Sequence, residues 1–193
     1  QAVKYLNSNK DVENNLTDNI NEDSYINDYD TIVDIDIDAY IPESYIADEE
    51  IKLDVYRKIS KCEKDEEFDA MKEELKDRFG DYPKELENLI FIAKLKIKAH
   101  KYYVKQLYIK KKLVTITFAE NHKLDGQSVV DIVNKFCGAI RVINGANVTL
   151  TYRANMEDHP TIEKSLAIAR NIIDSLKLDN YNIQVPPFGK ENW

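Results

Sequence analysis

Apolar positions recur along this chain with two different spacings. Between Thr31 and Pro42, Val33, Ile35, Ile37, Ala39 and Ile41 alternate with Asp34, Asp36, Asp38 and Tyr40. A repeat of two rich in β-branched residues predicts a strand with one buried face, which Pro42 ends. The repeat then lengthens to that of a helix. Asp48 is placed to cap a helix running to about Cys62, with Ile51, Val55, Ile59 and Cys62 on one stripe. Asp65 is placed to cap a second, with Phe68, Met71, Leu75 and Phe79 inward and Gly80 suited to the left-handed position that ends it. Pro83 suits the first turn of a third helix, to about Tyr102, with Leu86, Ile90, Ala93 and Ile97 inward.

The second half returns to short repeats. Val104–Ile109 and Leu113–Phe118 read as strands joined across Lys110–Lys112. Residues 126–137 read as a short helix. Ala139–Ile143 and Val148–Tyr152 flank Asn144-Gly145, a dipeptide favoured at hairpin turns. Residues 161–178 form a last amphipathic helix with Thr161 as its cap. Helices first and hairpins later predict an α+β fold, a small mostly antiparallel sheet with hairpins, covered by several amphipathic helices.

The flanks differ from this pattern. Residues 1–6 read as the end of a helix, residues 7–30 as an Asn- and Asp-rich flexible linker, and 181–193 as a loose C-terminal tail around a folded domain at 31–180. The chain has 193 residues, 43% hydrophobic and 32% charged, which suits one globular domain with tails. Its net charge of −8 opposes contact with phosphate backbones, so nucleic-acid binding is not the default. No apolar run approaches the roughly 20 residues of a membrane span. The two cysteines, Cys62 and Cys137, form no C-x-x-C pair and are expected to be buried thiols in a reducing, cytoplasmic setting.

Candidate chemistry is sparse. None of the five glycines sits in a phosphate-cradling loop, so no nucleotide cofactor is expected. Asp34, Asp36 and Asp38 would share one strand face, but a calcium loop starting at Asp34 needs glycine where Ala39 stands and glutamate where Tyr45 stands. The face is read as solvated, and no metal is expected. His100, His122 and His159 lack the spacing of a helical zinc pair. No nucleophile elbow is present, so no catalytic residue is assigned, although scattered polar residues could in principle build a hydrolase. Lys110-Lys111-Lys112 near Tyr102, Tyr103 and Tyr108 suggests a nucleic-acid-binding hairpin as the alternative function.

One charged stretch remains. In ELKDRFGDYP (74–83), Glu74, Asp77 and Arg78 fall on one arc beside the inward stripe of the second helix. A simple reading is an i, i+4 ion pair between Glu74 and Arg78, worth roughly 0.2–0.5 kcal/mol. The wider pattern points elsewhere. DAYIPESYIADEEIKLDVYRKI (38–59) followed by EELKDRFGDYPKELENLIFIAKLKIKA (73–99) resembles the C-terminal domain of the Mfd family, the bacterial transcription-repair coupling factors. The likeness covers about residues 33–120. It departs from the family at the 110–112 turn and in the acidic linker.

That resemblance implies a non-catalytic, autoregulatory domain. The parent family is an ATP-dependent DNA translocase that displaces stalled RNA polymerase and recruits UvrA in nucleotide excision repair. By resemblance, this domain would dock on the N-terminal UvrB-like module of the same polypeptide, mask the UvrA-binding surface and repress the motor. The interdomain contact would come from Glu74, Asp77 and Arg78. Residues 1–6 would then be the end of the preceding motor-domain helix.

Overall fold

The computed structural model describes residues 29–155 and 160–178. The expected helix end at 1–6, the tail at 181–193 and all of the expected linker at 7–30 except Tyr29 and Asp30 lie outside those residues. Strand β1 (Ile32–Ile35) is followed by helices α1 (Glu49–Lys61), α2 (Asp65–Phe79) and α3 (Lys84–Lys101). Then come β2 (Val104–Lys110), β3 (Leu113–Phe118), helix α4 (Gly126–Lys135), β4 (Ile140–Asn144), β5 (Val148–Arg153) and helix α5 (Ile162–Ser175). The five strands form one sheet in the order β1-β2-β3-β5-β4. Only β1–β2 is parallel; the other pairings are antiparallel. The α+β fold expected from the sequence is the one adopted.

Alternation along the strands sorts the sheet into two faces. Val33, Ile35, Leu107, Ile109, Val114, Ile116, Phe118 and Leu150 are buried on the helical side. Their neighbours Asp34, Tyr108, Thr115, Thr151 and Arg141 form one cross-strand row on the other side, which stays at least partly open. A register shift between Val104 and Gln106 lets both Val104 and Leu107 face inward despite their odd spacing. Helix α3 lies against β1 and β2 and also meets α1 and α5. This explains a burial pattern broader than the single predicted stripe. Leu86, Leu89, Ile90, Ile92, Ala93, Leu95 and Ala99 are all buried, while Ile97 is only partly so.

Several local expectations need correction. The first strand stops at Ile35, not Ile41. Ala39 and Ile41 are nevertheless buried, so the alternation records a packed extended segment, not continued pairing. Because the strand ends early, Asp34 alone of the three aspartates stands in the ladder. Asp36 donates its N–H to Ile109 O at 3.3 Å, and Asp38 O accepts from Asn88 Nδ2 at 2.8 Å. The second helix starts at Asp65 with Lys64 as its cap residue, and Glu67 Oε2 accepts the N–H groups of Glu63 and Lys64 at 2.7 and 3.3 Å. Pro83 is itself the cap of α3. The β4–β5 hairpin pairs Asn144 with Val148, so its loop is Gly145-Ala146-Asn147 and not the two-residue turn that Asn-Gly favours. Neither cysteine is buried: Cys62 is half-buried and Cys137 is exposed. Burial raises the Cys62 thiol above its ordinary pKa.

One polar junction fixes where β1 enters. Thr31 is fully buried, and its hydroxyl donates to Val104 O at 2.7 Å. With that proton committed, its oxygen accepts from His100 Nδ1 at 3.0 Å, which assigns the Nδ1–H tautomer. Tyr29 donates to His100 O at 3.2 Å and stacks beside the imidazole, with ring centroids 5.0 Å apart. Replacing Thr31 with valine keeps the shape but removes a partner from the buried Val104 carbonyl and from the half-buried His100 ring. Urea unfolding of Thr31→Val is expected to show about 1–3 kcal/mol lost, against about 2–5 kcal/mol for the cavity mutation Leu89→Ala. A Thr31→Val loss within error of zero would count against the junction.

Candidate docking site on the second helix

The C-terminal half of α2 is held from below by apolar contacts and by one tyrosine. Phe68, Met71 and Leu75 are buried. Tyr45 directs its hydroxyl at Leu75 O near the end of the helix, at 3.1 Å, and at Gly80 O just beyond it, at 3.2 Å, and its ring lies 5.8 Å from that of Phe79. Gly80 adopts φ +82°, the left-handed region that side chains with a Cβ resist, and so ends the helix. The outer face therefore sits on a rigid base.

That outer face carries the three predicted residues. Glu74 and Arg78 are paired as the i, i+4 spacing requires, at 2.9 Å. The sequence did not reveal the third member: Lys58, from the last turn of α1, reaches Glu74 at 2.8 Å. In the sequence Lys58 is visible only as a basic residue near a helix end, and nothing in one dimension brings it to α2. These hydrogen bonds, from Lys58 first and Arg78 second, hold the Glu74 carboxyl below the ordinary glutamate range. The Arg78 guanidinium also lies 4.9 Å from the Phe79 ring. Asp77 is exposed and makes no ion pair among the described residues. The face thus presents a paired acid, a paired base and one uncompensated carboxylate.

The other candidate chemistry is not assembled. Among the described residues no group of three or more His, Cys, Asp or Glu side chains could hold a metal ion. His159 lies outside the described residues. At the lysine hairpin, Lys110 ends β2 and leans on the Tyr108 ring, 5.3 Å from its centroid, with Asp34 at 3.8 Å. The turn is Lys111-Lys112 alone, and its carbonyls are tied down by Ser165 Oγ at 2.9 Å and Ala154 N–H at 3.0 Å. Tyr102 and Tyr103 precede β2, whereas Lys110 is its last residue and Lys111 and Lys112 follow it. Seven residues of strand separate them by roughly 23 Å. The aromatic-basic cluster suggested by the sequence is therefore split between opposite ends of the sheet. No helix among the described residues is long and apolar enough to cross a membrane.

Comparison with known proteins bears on the whole of this surface. A family model described as the TRCF domain matches residues 35–129, the segment that holds α1–α3 and the first hairpin. The chain carries a TRCF domain. Its relatives include the transcription-repair-coupling factor of Bacillus subtilis, 36% identical over 110 residues, covering 56% of this chain and 9% of that protein. The Staphylococcus epidermidis factor is 33% identical over 146 residues, covering 70% of this chain and 12% of its own. That of Staphylococcus aureus is 32% identical over 124 residues, covering 62% and 11%. This chain thus spans about a tenth of the length of the curated relatives it matches. A crystal structure of the C-terminal domain of a transcription-repair coupling factor superposes with a TM-score of 0.60 at 24% identity, covering 76% of this chain and 94% of that one. That likeness is one of fold. In the TRCF domain here, Glu74, Asp77 and Arg78 fall inside the family match and on its exposed side.

The linkage of Glu74 sets a small acid dependence. Its folded pKa is depressed, so its contribution is present above the ordinary glutamate value, about 4.3, and is lost as pH falls through the lower folded value. The side chains of Glu74, Arg78 and Lys58 are 41%, 44% and 46% exposed, so solvent screening keeps the contribution under about 1 kcal/mol. Urea unfolding of Glu74→Gln and the unchanged chain at pH 7 should differ by that small amount at low salt. The gap should close once the pH falls below the lowered folded value, or in about 1 M salt. A pH-independent loss of several kcal/mol would instead make Glu74 a structural keystone.

Proposed function

We propose that this chain is the non-catalytic, autoregulatory C-terminal domain of a transcription-repair coupling factor. In this reading the parent is an ATP-driven DNA translocase that displaces stalled RNA polymerase and recruits UvrA, and it works in the cytoplasm. The domain docks on the N-terminal UvrB-like module of the same polypeptide, covers the UvrA-binding surface and represses the motor. The contact is the outer face of α2, with Glu74, Asp77 and Arg78 meeting complementary charges.

The observation that carries the proposal is the position of Asp77. It is exposed on a well-anchored helix, one residue from Arg78 and three from Glu74, and it has no ion pair of its own among the described residues. An anchored helix face with one carboxylate left over suits a partner that brings a base. The lysine-hairpin alternative is weaker, because Lys110 is engaged by Asp34 and Tyr108 and two of its supposed aromatic partners stand at the far end of β2.

Charge reversal separates docking from folding. In the isolated 193-residue chain, Asp77→Arg with Arg78→Glu should leave the melting temperature within about 2 °C, since exposed charges contribute little. In the full-length factor the same change leaves interfacial charges unpaired, at a cost of roughly 2–5 kcal/mol, enough to shift a closed state towards open. ATPase rate and UvrA binding should both rise. An unchanged rate together with unchanged UvrA binding in a folded double mutant would overturn the proposal.

A further inference from the structure

A second surface, remote in sequence from α2, has chemistry of its own that the docking face does not use. Among the described residues strand β4 is the last in the sheet, and there it pairs with β5 on one side only. Arg153 N–H donates to Ala139 O at 3.3 Å, which sets the phase of this ladder. The Ala139 carbonyl and the main-chain groups of residues 141 and 143 then turn to β5, while those of Ile140, Val142 and Asn144 turn away from the sheet. Natural edges are commonly guarded by proline, lysine or a bulge. The β4 sequence Ile-Arg-Val-Ile-Asn has none of these three; its one charged side chain is Arg141, and its pairing with β5 is in continuous register. It is apolar on both faces where it is most open: Val142 is 43% exposed on the helical side, and Ile143 is 58% exposed on the other.

The side chains beside this edge have a definite charge. Arg141 lies opposite Thr151, and Arg153 is two residues further along β5 on the same face. Diagonal neighbours of this kind are roughly 7–8 Å apart. Both arginines and Ile143 line one shallow cleft of about 630 Å³. Neither arginine makes an ion pair among the described residues, in a chain where 35 acidic residues outnumber 27 basic ones. Two neighbouring guanidinium groups left without carboxylates favour an anionic occupant, and forked donors suit a carboxylate.

We propose that the β4 edge binds an extended acidic segment of a partner protein, which adds a sixth strand to the sheet. The geometry also gives the pattern of that segment. Its residues on the open face meet Arg141 and Arg153 and are acidic; those between them face the side of Val142 and are apolar. The match is therefore an acidic-apolar alternation with a repeat of two. This surface is separate from the α2 docking face and does not depend on it.

The probe is a fluorescein-labelled octapeptide of alternating glutamate and valine, titrated with the 193-residue chain by fluorescence anisotropy. Saturable binding is expected, with a Kd of about 10–500 µM at low salt. Arg141→Glu with Arg153→Glu should weaken it at least about tenfold. Asp77→Arg with Arg78→Glu should leave it unchanged, which distinguishes this site from the other. A probe N-methylated at alternate amides needs no protein variant. Blocking the edge that faces β4 should abolish binding, and blocking the opposite edge should not. The proposal is overturned by no saturation up to about 1 mM chain, well above the expected Kd, or by equal binding of a lysine-valine octapeptide. It also fails if oligothymidylate displaces the probe and itself binds more tightly, which would assign the arginines to nucleic acid. Dimerisation of the chain, lost in the arginine double variant, would assign the edge to a second copy and overturn it likewise.

Discussion

The parallel pairing of β1 with β2 governs the rest of this fold. Two adjacent parallel strands cannot be joined by a turn; the chain must leave the sheet, cross its face and return at the starting end. Here the crossing consists of three helices, α1, α2 and α3; α3 lies on β1 and β2, and α5 covers β2 and β3 beside it. Helix α3 is therefore enclosed between the sheet and other helices, and it buries seven apolar residues instead of one narrow stripe. The helices that remain, α1 and α2, form the outer surface. The α2 face carries the unpaired Asp77 because the layer beneath it has already taken up the apolar residues.

The legibility of these features in the sequence follows from their range. Caps and helix stripes are local, so Asp48, Thr161, Gly80 and the inward row Phe68, Met71 and Leu75 are readable from spacing alone. Hairpin partners are nearly local, and β2–β3 and β4–β5 are readable too. The parallel contact of β1 with β2 joins residues such as Val33 and Leu107, and no spacing rule reaches that far. The end of β1 is hidden for a related reason. Ala39 and Ile41 are buried against helices, and burial preserves the alternation after the hydrogen-bonded ladder has stopped.

The candidate site shows the same division. Glu74, Asp77 and Arg78 are visible as one arc of a single helix, and the Glu74–Arg78 pair follows from i, i+4 spacing. Lys58 is not visible, because the α1–α2 crossing that brings it to Glu74 is tertiary. The lysine hairpin fails in the opposite sense. Proximity in sequence suggests a cluster with Tyr102 and Tyr103, but an extended strand carries its two ends far apart. Sequence closeness is a good guide to contact within a helix and a poor one across a strand.

The junction at Thr31 has a mechanical meaning. The chain enters the domain at an edge strand whose neighbour runs in the same direction, with Thr31, Tyr29 and the Lys96–Asp30 ion pair at 3.1 Å fastening the entry point. A pull applied there along the strand loads the β1–β2 hydrogen bonds side by side, in shear, so they must fail together. An antiparallel hairpin pulled from its open end would instead lose its bonds in succession. The entry is thus built to carry tension from the preceding residues into the sheet without unzipping, and the side-chain fastenings around His100 are the first to bear it.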